Sequence, residues 1–131
     1  MDKILLIDDN EICLDIAKEA LKNKYQIITA KSGKEGLNFL AKGLVPKLIL
    51  LDILMPEMDG WEVFNLLKGI SLLRDVPIAF LTSLDDQTDK IQATRLGASD
   101  YITKPIKETD FGARVDALIE KHKTALPPRP R

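Results

Sequence analysis

Asp8 with Asp9, then Asp52, Thr82 and Lys104, each stand directly after a short apolar run in this 131-residue chain. Together they offer three carboxylates, a hydroxyl and an ammonium. That is equipment for phosphoryl transfer, in which positioning and charge neutralisation do most of the catalysis. A single Asp at a strand end usually caps its own loop, but an ordered set argues for a shared site. Carboxylates ~4 Å apart repel by about 4 kcal/mol per pair at an effective dielectric of ~20. A cation must offset that repulsion, and hard oxygen donors in a partly hydrated site suit Mg²⁺. One lysine alone leaves the cluster under-neutralised. In that arrangement Asp52 is the nucleophile and forms an aspartyl phosphate. The phosphoryl oxygens are then met by the metal, by Lys104, and by Thr82 with nearby backbone N–H groups.

The elements that must position these residues are legible along the chain. Leu48-Ile49-Leu50-Leu51 is too short for an ordinary buried helix and reads as a strand covered on both faces. Lys3 to Ile7 reads the same way. Asn10 then opens a helix with Ile12, Cys13, Ile16, Ala17, Ala20 and Leu21 at helical spacing. Tyr25 to Ala30 is a short β-branched strand, and Ser32-Gly33-Lys34-Glu35 has the form of a capping box before Leu37, Phe39 and Leu40. Beyond Asp52, Pro56 stops strand pairing, and Asp59-Gly60 turns into a helix carrying Trp61, Val63, Phe64, Leu66 and Leu67. Val76 to Leu81 is a fourth strand, with Pro77 at its start, where a missing donor is tolerated. Asp85, Asp86 and Asp89 begin a helix that reaches Leu96 and closes at Gly97. A fifth strand runs from about Asp100 to Thr103, and a last helix from about Glu108 to Lys123 with Phe111, Val115, Leu118 and Ile119 inward. Strict alternation with apolar strands predicts an α/β fold, a single doubly wound (βα)5 domain with a five-stranded parallel sheet and helices on both faces. All strand ends of such a sheet gather on one edge, where ligands bind.

Composition narrows the function classes. Hydrophobic residues at 45% and charged residues at 30% describe an ordinary globular protein. A net charge of -1 gives no bulk drive toward nucleic acid or a membrane surface. The single Cys13 excludes an internal disulfide and fits a reducing compartment. No signal peptide and no membrane-length apolar segment is evident, so a cytoplasmic protein is expected. Residues 1–123 form the expected domain, and residues 124–131, with Pro127-Pro128-Arg129-Pro130-Arg131, are a tail or the start of a linker.

Asp8-Asp9, the run Leu50-Leu51-Asp52-Ile53-Leu54-Met55-Pro56-Glu57-Met58-Asp59-Gly60, Leu81-Thr82-Ser83, Gly97-Ala98-Ser99-Asp100-Tyr101 and Thr103-Lys104-Pro105 together resemble the CheY-like receiver domains of two-component response regulators. The resemblance spans roughly Lys3 to Lys123. It implies the strand order 2-1-3-4-5 and a cis peptide before Pro105. It implies Asp52 as phosphoacceptor, with Mg²⁺ held by Asp8, Asp9, Asp52 and the backbone carbonyl of Leu54. Thr82 matches the switch hydroxyl, Tyr101 the switch aromatic and Lys104 the phosphoryl-binding lysine. The implied phosphodonor is a sensor histidine kinase or a phosphotransfer protein. The implied readout surface is the fourth helix, fifth strand and fifth helix. Such a protein is no enzyme toward a separate substrate; it catalyses only its own phosphorylation and slow dephosphorylation.

Several positions depart from the family pattern or invite a plainer reading. Ser83 stands where a small Ala is usual, and it tightens or hydrates the pocket. Leu54 and Leu84, two residues after Asp52 and Thr82, are apolar and cannot orient a hydrolytic water, so slow self-dephosphorylation is expected. Lys90, Asp100, Asp110 and Arg114 fall where the winged-helix class of response regulators places dimer salt bridges, implying homodimerisation on phosphorylation. Thr94 and Gly112 replace the apolar pair usual there. His122 reads as a favourable cation near a helix C-terminus, Cys13 as packing, and Trp61 as a fluorescence reporter.

Three other readings compete. A Mg²⁺-dependent phosphatase with an aspartate nucleophile needs a second acid where Leu54 stands. A degenerate, phosphorylation-independent receiver would not need the full set Asp8, Asp9, Asp52, Thr82 and Lys104. A receiver cut from a hybrid kinase or a multidomain regulator would look the same as a stand-alone one.

Overall fold

A computed structural model of the protein describes residues 1–83 and 87–125. The expectations for Leu84, Asp85, Asp86 and the Pro-rich end, and for the Ser83 and Asp89 side chains, fall outside what is described. The chain alternates β1 (Lys3–Ile7), α1 (Glu11–Leu21), β2 (Gln26–Ala30), α2 (Gly33–Ala41), β3 (Leu48–Asp52), α3 (Gly60–Lys68), β4 (Ile78–Ser83), α4 (Gln87–Leu96), β5 (Asp100–Lys104) and α5 (Glu108–Ala125). A 3-10 turn at Ser71–Leu73 precedes β4. All strands pair in parallel, in the order β2-β1-β3-β4-β5. The expected fold class and strand order both hold.

Period-two alternation divides the core. Ile4, Leu6, Leu48, Leu50, Leu81 and Ile102 pack with α1 and α5 on one face. Leu5, Ile7, Ile49, Leu51, Ile78 and Phe80 pack with α2, α3 and α4 on the other. Every residue of β3 is buried, which explains why its apolar run shows no alternation. Each such buried Leu or Ile contributes about 1.5–3 kcal/mol relative to exposure.

Local chemistry sets the helix starts. Asn10 caps α1 by accepting from the Cys13 N–H, and Asp59 caps α3 by accepting from the Glu62 N–H. Ser32 caps α2 by accepting from Glu35 N–H at 3.1 Å. The reciprocal half of the capping box is displaced, since the Glu35 carboxylate faces the Lys31 N–H at 3.5 Å and not that of Ser32. Ile12 corrects the helical-spacing reading of α1: it is 72% exposed, because the inward stripe of the helix is Cys13, Leu14, Ala17 and Leu21, and Ile12 stands outside it, lining a surface recess with Pro105 and Ile106. β5 and α5 run slightly longer than expected, to Lys104 and Ala125. Lys104–Pro105 is cis.

The turn from β3 into α3 requires a glycine at position 60. A Cβ there would stand 2.4 Å from the Asp52 carbonyl oxygen and 2.8 Å from the Ile53 Cα. Both are backbone atoms, so nothing can swing aside. Gly60→Ala should destabilise the protein by about 3 kcal/mol in urea unfolding, whereas Gly69→Ala, whose Cβ meets nothing closer than 3.5 Å, should change stability by less than about 0.5 kcal/mol.

Candidate functional site

Strand parity decides which side chains meet. Continuing the alternation of Leu6, Leu50 and Ile102 puts Asp8, Asp52 and Lys104 on the α1/α5 face, at the carboxyl edge of three strands. Thr82 follows Phe80 and so lies on the opposite face, beside the same edge. The sequence-predicted set therefore converges, with the hydroxyl approaching from the other side.

Asp8 is fully buried and Asp52 is 6% exposed, while Asp9 is open to solvent. Their carboxylate oxygens lie within 4.8 Å of one another, close enough to hold a metal ion. Lys104 Nζ stands 2.8 Å from Asp8 Oδ2 and 3.1 Å from Asp52 Oδ1. Asp8 Oδ1 accepts from the Asn10 N–H at 2.9 Å. Asn10 thus caps α1 through its side chain and fixes Asp8 through its backbone, a link the spacing of a helix cap does not reveal. A pocket of about 200 Å³, lined by Asp9, Asp52, Leu54, Thr82 and Lys104 among others, opens over the cluster. The Leu54 side chain, 76% exposed, stands at its mouth.

Two buried oxygens at this edge lack hydrogen-bond partners: Asp8 Oδ2 and Thr82 Oγ1. The first is nevertheless 2.8 Å from Lys104 Nζ. That contact is an ion pair, so among the described residues Thr82 Oγ1 is the one of the two without a polar partner. An orphaned buried oxygen such as Thr82 Oγ1 costs about 1–3 kcal/mol. Three carboxylates against one lysine fit a hard divalent cation such as Mg²⁺.

Electrostatics reflect the crowding. Burial, then the neighbouring Asp8 charge, push the Asp52 carboxyl up to about 6, against the pull of Lys104. Burial acts to lower the Lys104 pKa, but the Asp8 and Asp52 carboxylates outweigh it and the net shift is upward. Cys13 is buried on α1 as the packing reading expects, and burial with the adjacent Asp8 pushes its thiol up to about 12. It is therefore an inert thiol at neutral pH.

The second group of predicted residues lies away from this mouth. Tyr101 is half-buried on the same sheet face as Phe80 and Thr82, on the adjacent strand. Lys90 Nζ lies 5.4 Å from its ring centroid, and Arg114 donates to its carbonyl oxygen at 3.1 Å. Asp100 accepts from the Tyr101 N–H at 2.8 Å and lies 3.5 Å from Lys121 Nζ. Three of the residues expected at a dimer face thus have contacts within the chain, and Asp110 is exposed on α5. Trp61 packs on Phe80 with ring centroids 4.7 Å apart, two residues before Thr82. His122 has a role the sequence did not disclose: its Nε2 stands 2.7 Å from the Asp75 carbonyl oxygen. A carbonyl only accepts, so that nitrogen carries the hydrogen.

The model of the response regulator receiver domain matches residues 4–116. Among curated proteins, the chain is 38% identical over 126 residues to the alkaline phosphatase synthesis transcriptional regulatory protein PhoP of Bacillus subtilis, covering 95% of this chain and 51% of PhoP. It is 39% identical over 117 residues to response regulator PleD of Caulobacter vibrioides, covering 88% of this chain and 26% of PleD. The chain thus spans about half, or less, of these relatives. The signal receiver domain of a signal transduction histidine kinase from Syntrophus aciditrophicus superimposes with a TM-score of 0.80 at 34% identity, covering 99% of this chain and 98% of that one. A response regulator structure from Chloroflexus aurantiacus gives a TM-score of 0.83 at 28% identity, covering 91% and 98% of the two chains.

The raised Asp52 pKa has a measurable consequence without metal. Folded Asp52 binds its proton more tightly than the unfolded carboxyl at 3.8, so stability falls as pH rises from there through about 6. In EDTA, Asp52→Asn should therefore be more stable than the parent by about 1–2 kcal/mol at pH 7. The advantage should shrink on acidification and vanish below about pH 4, as read by urea unfolding at each pH.

Proposed function

The chain belongs to the response regulator receiver domain family of two-component systems, and on that premise we propose that it is a signalling switch whose Asp52 accepts a phosphoryl group. The observation that carries this reading is the convergence of three carboxylates, with oxygens within 4.8 Å of one another, on one lysine, beside the buried and unpartnered Thr82 Oγ1. One lysine against three carboxylates leaves charge for a divalent cation to offset, and a phosphoryl oxygen on Asp52 answers Thr82 Oγ1.

Asp8, Asp9 and Asp52, with the backbone carbonyl of Leu54, would hold Mg²⁺. Bound there, the ion neutralises the cluster and the incoming phosphoryl charge. Lys104 holds Asp52 Oδ1, which leaves Oδ2 as the attacking atom. As the new P–O bond forms, the donor's P–N bond breaks and its electron pair returns to the donor imidazole. Lys104 then stays beside the transferred group as a fixed cation. The donor is a histidine kinase or a phosphotransfer protein, and the protein works in the cytoplasm. It is not an enzyme toward another substrate; it promotes its own phosphorylation and its slow loss.

Signalling follows from Thr82. Its hydroxyl reaches the new group only if the end of β4 moves toward Asp52, and a ligand shifts a conformation only by binding one state better. Tyr101, beside it on β5, then turns into the vacated space. That turn disturbs the contact of the Tyr101 ring with Lys90, altering the α4–β5–α5 surface. Phosphorylation-dependent homodimerisation through Lys90, Asp100, Asp110 and Arg114 is part of this reading.

Incubation with a small-molecule phosphodonor tests the proposal. Intact mass should rise by one phosphoryl group in Mg²⁺, but not in EDTA or in Asp52→Asn, and the adduct should be acid-stable and base-labile. Unchanged mass in Mg²⁺ would overturn the phosphoacceptor role. Leu54→Asn and Leu84→Asn should each shorten the phosphoryl half-life several-fold, followed by mass spectrometry over time. Arg114→Glu should abolish any dimer that phosphorylation induces in sedimentation velocity.

A further inference from the structure

A wide recess lies at the opposite pole from Asp52, where the strands begin. It has a volume of about 920 Å³ and runs between the start of β1, the lead-in to β3, the segment around the 3-10 turn, and the last turns of α5. Two features set it apart from ordinary surface. Met1, Val45 and Leu72 line it at 77%, 51% and 72% exposure, so three of the seven large exposed hydrophobics in the described residues gather in one recess. Around them stand four permanent cations, Lys3, Lys47, Arg74 and Lys123, against the carboxylates of Asp2 and Asp75. The chain as a whole carries -1, so this pole is basic against the general balance. The wall is also preformed: His122 on α5 is tied to the Asp75 carbonyl at 2.7 Å, fixing the helix end against the loop that enters β4.

We propose that this groove docks an acidic amphipathic segment of a partner protein, with its carboxylates on Lys3, Lys47, Arg74 and Lys123 and its apolar side chains on Val45 and Leu72. Charge decides against residues 126–131 as occupant. Residues 126–131 read Leu-Pro-Pro-Arg-Pro-Arg, and their two arginines would face the four cations. Shape decides against a bilayer, because a concave recess cannot seat on a planar surface. The site lies at the far end of the sheet from the phosphoacceptor, so it can be filled in either phosphorylation state.

The probe is a labelled synthetic amphipathic peptide with Leu along one face and Glu along the other, followed by fluorescence anisotropy against the full chain. Its counterpart with Lys in place of every Glu is the control. The Glu peptide should bind about tenfold or more tightly than the Lys peptide, and less tightly as salt is raised. Charge reversal by Lys47→Glu with Arg74→Glu should weaken it about tenfold, and Leu72→Asp comparably. Asp52 phosphorylation by a small donor should be unchanged in these variants, which separates failure of this proposal from failure of the phosphoacceptor reading. Equal binding of both peptides, no binding, or indifference to the variants would overturn the proposal. So would binding to anionic vesicles but not to the peptide, or a dimer in sedimentation that Leu72→Asp abolishes.

Discussion

Two buried carboxylates facing a single lysine are the constraint on which this structure turns. Asp8 is fully buried, Asp52 nearly so, and Lys104 sits 2.8 and 3.1 Å from them. In such a pair the desolvation cost can exceed the Coulombic return unless geometry is supplied from outside. Here it is supplied by backbone. The Asn10 N–H holds Asp8, the packed β1–β3 ladder holds both strand ends, and Gly60 lets α3 begin against the Asp52 carbonyl. The arrangement costs stability without a cation, as the upward shift of Asp52 expresses. A site strained in this way favours whatever ligand relieves it.

The parallel architecture was readable because its strands are buried on both faces, leaving continuous apolar runs at 4–7 and 48–51 with charges at their ends. Once the sheet is parallel, convergence of Asp8, Asp52, Thr82 and Lys104 follows from topology. Sequence does not say how they touch. That Lys104 bridges both carboxylates, and that Thr82 approaches from the other face, depends on the phase of alternation in four separate strands. Ile12 was misread for a related reason: helical spacing marks a stripe, but only the neighbouring elements decide how far that stripe is covered. The His122–Asp75 link and the basic groove join residues remote along the chain, and no local pattern announces them.

The switch region carries the opposite energetics from the acidic mouth. Among described residues of α4, only Ala93 is buried, whereas α3 buries Val63, Phe64 and Leu67. Sparse apolar anchorage makes α4 cheap to shift, since local stability follows buried contact. The Tyr101 ring meets Lys90 of α4, and its backbone carbonyl meets Arg114 of α5, so this residue touches both helices through individually weak contacts. A rigid, strained centre next to a loosely held helix is a division of labour suited to converting local charge into surface change.

The most direct test of the central claim is the melting temperature at pH 7 as Mg²⁺ is titrated, in the parent and in Asp8→Asn. Relief of the buried carboxylates by a bound cation predicts a rise in melting temperature that saturates with Mg²⁺ in the parent and is largely lost in the variant. A parent melting temperature indifferent to Mg²⁺ would mean that Lys104 alone neutralises the cluster, and would contradict the account.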